Sequence, residues 1–190
     1  MGLLLGVGDP GRCLRAATSV HRDRAGSELG DIEVTAFRRL VAQRAVLYEE
    51  PLDQASAASG VVAINAAVTW TYNPNGIGGP EAVANLDVPE RGMKIKVSFR
   101  RNADPTLPAS HVVEVNVTTP PNFPGKSVKD VPRLVLKPSE DARGQPLIGA
   151  SAKVADGFFW IALSGVDRDV ATNVALMKDQ GWIDLPLVYD

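Results

Sequence analysis

Chemistry-bearing side chains are scarce in this 190-residue chain, which has one cysteine, Cys13, and two histidines, His21 and His111. A single thiol excludes an internal disulfide and a thiolate metal site assembled within one chain. No apolar run approaches the roughly 18 to 20 residues needed to cross a bilayer. Met1 to Val7 is too short even for a secretory core before Asp9, Pro10 and Gly11 interrupt it. As written, the chain reads as soluble and without a transmembrane segment. A formal net charge of −2 gives no whole-chain reason to expect nucleic acid. Residues 1–42 hold 6 of the 20 basic and 5 of the 22 acidic groups, so the body is mildly acidic.

What is present is alternation. In Met93 to Arg101 the residues Met93, Ile95, Val97 and Phe99 share one face and Lys94, Lys96, Ser98 and Arg100 the other. This is the period of two of a half-buried strand. In His111 to Thr118, Val113, Val115 and Val117 oppose Glu114, Asn116 and Thr118. Joined through Asn102 to Ser110, the two runs predict an antiparallel hairpin whose outer face brings Lys94 and Lys96 near Glu114.

Further strands are expected at Arg44–Glu49, Val61–Tyr72, Ala82–Val88, Arg133–Lys137, Leu147–Val154, Gly157–Leu163 and Trp182–Tyr189. The breaks have their own causes. Asn73-Pro74-Asn75-Gly76 with Gly78-Gly79-Pro80, and Thr119 to Gly125 with three prolines, supply turn chemistry. Between Asp167 and Gln180 the period changes: Val166, Val170, Val174 and Met177 fall at helical spacing, and Gly181 follows as a stop. Ser164 to Asp167 resembles a capping box. The fold class is therefore mainly β or α+β, an antiparallel sandwich-like or curved-sheet domain with one C-terminal helix at about 167–180. Residues 1–41 lack a periodic apolar face and read as a poorly ordered tail with a short helix-compatible patch at 32–41, and residues 42–190 as one domain. Trp182–Tyr189 followed only by Asp190 suggests a hairpin cut short, with an unpaired edge open to self-association.

His111 is the one imidazole offered to a folded site. A Ser-His-Asp arrangement would draw on Ser110 or Ser164 and on Asp167 or Asp184. No Gly-x-Ser-x-Gly elbow surrounds either serine, and His111 shares the inward parity of Val113, so a boundary histidine is the plainer reading. A metal site combining His111 with Glu114, Asp156 or Asp184 lacks ligand spacing, and no cofactor is implied. Glu49, Glu50, Glu140 and Asp141 offer acids for glycoside hydrolysis but read as solvated pairs. The glycines at 6–8, 76–79 and 144 read as turns rather than phosphate cradles. The best surface feature is a basic stripe, Lys94, Lys96 and Arg100 extended by Arg91 and Arg101. It suits an anionic partner, such as a polysaccharide, a lipid head group or an acidic protein, or else is a strand protected from aggregation by its lysines. Phe158, Phe159, Trp160 and Trp182 form the other concentration, with alternation sending Phe158 and Trp160 to one side and Phe159 to the other.

Gln43 to Glu50, Val88-Pro89-Glu90-Arg91, Ser98 to Asn102, Leu107 to His111, Phe123-Pro124-Gly125, Arg143 to Leu147, Gly157-Phe158-Phe159, Leu163-Ser164, Asn173, Leu176-Met177-Lys178 and Trp182 to Pro186 occur in an order that carries a resemblance. In that order they resemble an uncharacterised domain recurrent in envelope-anchored proteins of rhizobial alphaproteobacteria, over about residues 43–189. The resemblance implies a module on the periplasmic side of the inner membrane, or a cytoplasmic one if the present N-terminus is genuine, and a C-terminal continuation by a turn and a further strand. It implies no activity. The expected function is a non-catalytic binding module for a protein or an anionic envelope component. The alternative is a hydrolase centred on His111.

Overall fold

The computed structural model describes residues 2–6, 41–50, 60–76 and 78–190. The tail and its helix-compatible patch lie mainly outside the described residues. The strands are β1 (Gly2–Gly6), β2 (Val41–Glu49), β3 (Val62–Asn73), β4 (Glu81–Val88), β5 (Met93–Arg101), β6 (Ala109–Thr118) and β7 (Val128–Asp130). They continue with β8 (Val135–Lys137), β9 (Gln145–Pro146), β10 (Gly149–Ala155) and β11 (Phe158–Ser164). After these come the helix α1 (Asp167–Asp179), β12 (Trp182–Pro186) and β13 (Val188–Tyr189).

The fold is mainly β, with antiparallel pairing throughout. One eleven-stranded sheet runs β10-β11-β6-β5-β4-β3-β2-β1-β12-β8-β9, and β13 and β7 form a small second sheet. The alternation in β5 and β6 produces the expected result: Met93, Ile95, Val97, Val113, Val115 and Val117 are buried. Phe159 on β11 and Leu185 on β12, seven places apart in strand order, belong to the same hydrophobic cluster. A flat sheet would span roughly 30 Å between those positions at about 4.8 Å per strand, and since the residues along this face are nearly inaccessible although α1 and a two-stranded sheet are too small to cover it, the sheet curls its apolar face inward upon itself.

Local chemistry fixes the connections. In the loop between β5 and β6 the Asn102 side-chain amide donates to the carbonyls of Asp104, Leu107 and Ala109, and Asp104 accepts from the Thr106 amide and hydroxyl. Asp156-Gly157 closes the β10–β11 hairpin. Gly157 has φ +68°, and a Cβ there would lie 2.4 Å from the Val117 carbonyl oxygen, so only glycine fits.

The helix begins and packs differently from its apolar spacing. Val166 is its N-cap and 63% exposed, while Asn173 and Leu176 are the buried residues. Ser164 accepts the Val166 amide and donates to Asp169 (2.7 Å), so it braces the helix entry from two residues before the N-cap instead of forming a capping box. Asn173, 1% exposed, accepts the Ile148 amide (2.8 Å) and donates to the Ile148 carbonyl (2.9 Å). A peptide-like side chain thus docks α1 where the chain enters β10.

Three expectations are corrected. Gly2–Gly6, assigned to an irregular tail, forms β1, because its backbone fills the slot between β2 and β12. Val41, placed in a helix-compatible patch, opens β2 opposite Trp70. Trp182–Pro186 is not an edge, since β12 is hydrogen-bonded to β1 on one side and β8 on the other, and Val188–Tyr189 leaves to pair with β7. Self-association through that strand has no free ladder to use.

Asn173→Ala would remove the side-chain partner of the Ile148 amide at a part-buried contact and leave a void where the buried Asn173 side chain stood. We expect a loss of about 1 to 3 kcal/mol in chemical denaturation with an unchanged m-value.

Candidate functional site

The basic stripe divides when the chain folds. Arg91, in the 3-10 turn at Pro89–Arg91, turns to the inner side and hydrogen-bonds Glu49, itself 6% exposed. The carboxylate raises the already high pKa of the guanidinium. Arg100 reaches Glu114 at 2.6 Å. Glu114 stands opposite Ser98, so this ion pair runs along one diagonal of a quartet whose other diagonal is Ser98 and Val112, 5% and 2% exposed. Glu114, expected near the lysines, lies by register midway between Lys96 and Arg100, and its ion pair is with Arg100 rather than with either lysine.

Lys94 and Lys96 remain exposed and make no ion pair among the described residues. Register places them within polar rows. Lys96 lies between Asn85 and Asn116, and Lys94 between Asp87 and Thr118. Arg101, also exposed, has the inward parity of Phe99 and sits at the rim beside His111, away from these rows. The stripe therefore contracts to two lysines.

Aromatic residues join them from the next strand. Phe158 is paired with Asn116 and Trp160 with Glu114, so both rings lie on the outer face that carries Lys94 and Lys96. They meet edge to face, centroids 6.2 Å apart, and Trp160 is 38% exposed. The row Phe158–Asn116–Lys96–Asn85 crosses four adjacent strands, which sets Phe158 about 10 Å from Lys96. Phe159, of opposite parity, is fully buried. Trp182 is on β12, far along the sheet from this pair.

The catalytic alternative is not assembled. His111 sits opposite Arg101 and Leu163, half-buried, with Nδ1 3.2 Å from the Ser110 hydroxyl. Burial pushes its pKa down, and the nearby Arg101 charge adds to the effect. Asp184 is six strands away in the sheet order, and Ser164 is engaged with Asp169. Among the described residues the ring bonds no carboxylate, and no group of three or more His, Cys, Asp or Glu side chains could hold a metal ion. Glu49 and Glu140 are each held by an arginine, Glu140 accepting from Arg44 and from Tyr48, both at 2.7 Å.

At two covered places the sequence named an acid, Glu49 and Asp184, but neither its burial nor its neighbours. Beside Glu49, the Tyr189 hydroxyl is buried without a partner, and its pKa is pushed up by burial first and by the Glu49 charge second. On the face turned away from the core, Asp184 is half-buried near Lys137, and burial raises its carboxyl. Lys137 donates to the Glu140 carbonyl. Both clusters join residues from segments far apart in sequence, so no local signal announces them.

The depressed histidine gives a signed prediction. Above pH 6.5 the ring is neutral in both folded and unfolded chains. As pH falls below the unfolded value of 6.5, the unfolded chain binds a proton that the folded one resists, so stability falls with pH until the folded pKa is passed. Thermal melts between pH 7.5 and 5 should show that decline, and His111→Gln should flatten it. The chain matches no family model, no curated protein and no solved structure.

Proposed function

We propose that the domain is a non-catalytic binding module that takes an acidic polymer on the outer face of β4, β5, β6 and β11. The observation that carries this reading is the division of the stripe: two arginines are consumed by Glu49 and Glu114, while Lys94 and Lys96 stay exposed, and Lys96 lies in a row with Asn85 and Asn116 that ends on Phe158, next to Trp160. Uncommitted lysines attract anions, and an aromatic edge with neighbouring amides suits sugar rings better than a lipid head group. An acidic polysaccharide fits both halves of that chemistry.

The resemblance over residues 43–189 supplies the setting. We take the module to work at the cell envelope, on the periplasmic side of the inner membrane, with a polymer of that compartment as its partner. No helix among the described residues is long and apolar enough to cross a membrane. The hydrolase reading would need a carboxylate to orient His111, and it stands second for that reason.

Polygalacturonate affinity electrophoresis tests the reading. The full chain should be retarded, with retardation falling as salt rises. Lys94→Glu with Lys96→Glu should weaken binding by about tenfold or more, since two attractive charges become repulsive. Trp160→Ala should weaken it several-fold at unchanged salt dependence. Arg91→Gln, on the inner side, should change stability but not binding per folded molecule. Equal retardation of the wild type and the lysine double variant would reject the site.

A further inference from the structure

The eleven-stranded sheet has two ends. β9 is two residues long, and one of them is Pro146, so that end offers little to another strand. β10 at the other end is different, and among the described residues it pairs with β11 alone. Its seven residues, Gly-Ala-Ser-Ala-Lys-Val-Ala, contain no proline, and six of them are exposed.

Its free hydrogen-bonding groups can be assigned. The Ser164 amide donates to the Ile148 carbonyl at 2.9 Å, which makes Ile148–Ser164 a hydrogen-bonded pair. Antiparallel ladders alternate. Ala150 and Ala152, opposite Ala162 and Trp160, therefore turn their amides and carbonyls toward β11, and Gly149, Ser151 and Lys153 turn theirs away from the sheet. A bulge between Lys153 and Ala155 ends the regular ladder, and Val128 of β7 lines a common hollow with Asp156 just beyond that end. The open stretch is Gly149–Lys153.

We propose that this stretch docks a second copy of the chain, β10 against β10, antiparallel about a two-fold axis at Ser151. The sequence is self-complementary in that register. Ser151 faces Ser151 of the other copy, Gly149 faces Lys153, and Ala150 faces Ala152. The three pairs with outward backbone groups exchange about six hydrogen bonds. Lys153 is the one charged residue of the strand, it is bound to Asp156 at 2.9 Å, and it meets glycine rather than its own copy. Shifting the axis to Ala152 loses a hydrogen-bonded pair, because the bulge removes the partner of Gly149. Small side chains on both faces let the strands approach without a clash. The resulting dimer would continue the outer face of one copy into that of the next, extending the surface assigned above to the acidic polymer. The dimer does not depend on that assignment.

Sedimentation velocity of the full chain, from about 1 to 200 μM, should show a reversible monomer–dimer equilibrium. Ser151→Lys puts two cations on the axis and should weaken dimerisation at least tenfold, with the melting temperature of dilute protein unchanged. Ser151→Pro removes an amide that faces away from β11, so it should act likewise without breaking the β10–β11 ladder. Register is tested by oxidation in a Cys13→Ser background. Ser151→Cys should form a disulfide-linked dimer, since hydrogen-bonded pairs stand about 5.5 Å apart at Cα, and Ala152→Cys, which faces Ala150, should not. A chain that stays monomeric at 200 μM, a dimer indifferent to Ser151→Lys, or equal crosslinking of the two cysteines would each overturn the proposal.

Discussion

An eleven-stranded sheet with one apolar face must hide that face from water, and here it does so chiefly against itself. Strands far apart in sheet order contribute to one cluster, with Leu47, Ile95, Phe159 and Leu185 each nearly or wholly inaccessible. Everything else follows from that curl. At roughly 25 cal/mol per Å2 of apolar surface, closing the face is the main favourable term, and β7, β13 and α1 serve to cover what the curled sheet leaves open. The opposite face turns outward and is free to carry polar and aromatic groups.

Curling also draws polar residues into covered places, where each needs a partner. Glu49 has the parity of Ala45 and Leu47, so alternation alone would bury an isolated charge, and Arg91 answers it from 42 residues away. Breaking such a pair costs far more than its formation gains, because the remaining ion stays desolvated. Tyr189 and Asp184 show the same pressure from the other side. Their buried, unpartnered oxygens disfavour ionisation, and Tyr189 is kept in place by edge-to-face packing on Phe123, centroids 5.0 Å apart. These groups serve the closure of the sheet. None converges with His111.

What the curl exposes is a face and an edge, the two surfaces on which the proposals rest. The face collects Lys94, Lys96, Asn85, Asn116, Phe158 and Trp160 because four antiparallel strands bring their outward positions into register. The edge exists because, among the described residues, β10 pairs with β11 alone.

The strands with alternating side chains were legible in the sequence, since burial on one face writes itself as a period of two. Met93–Arg101 has the same bounds in both readings, and the helix differs by one residue at its end. The short strands β1, β7 and β9 were not legible, because two to five residues with no clean alternation carry no period. The stripe of five basic residues was visible, but its division was not: the register leaves Lys96 and Arg100 both diagonal to Glu114, and which of them it meets is decided by the three-dimensional course of the strands and side chains. The free edge was placed at Trp182–Tyr189, where the chain ends, and lies at β10. Pairing depends on which strands meet in space, and β12 meets Gly2–Gly6 and Val135–Lys137 across long sequence separations. Sequence by itself determined which residues of the cleanly alternating strands face the core, because transfer from water is a property of each side chain. Only the tertiary structure decided which charges remain free and which strand lies open, because those depend on neighbours that the chain brings together by folding.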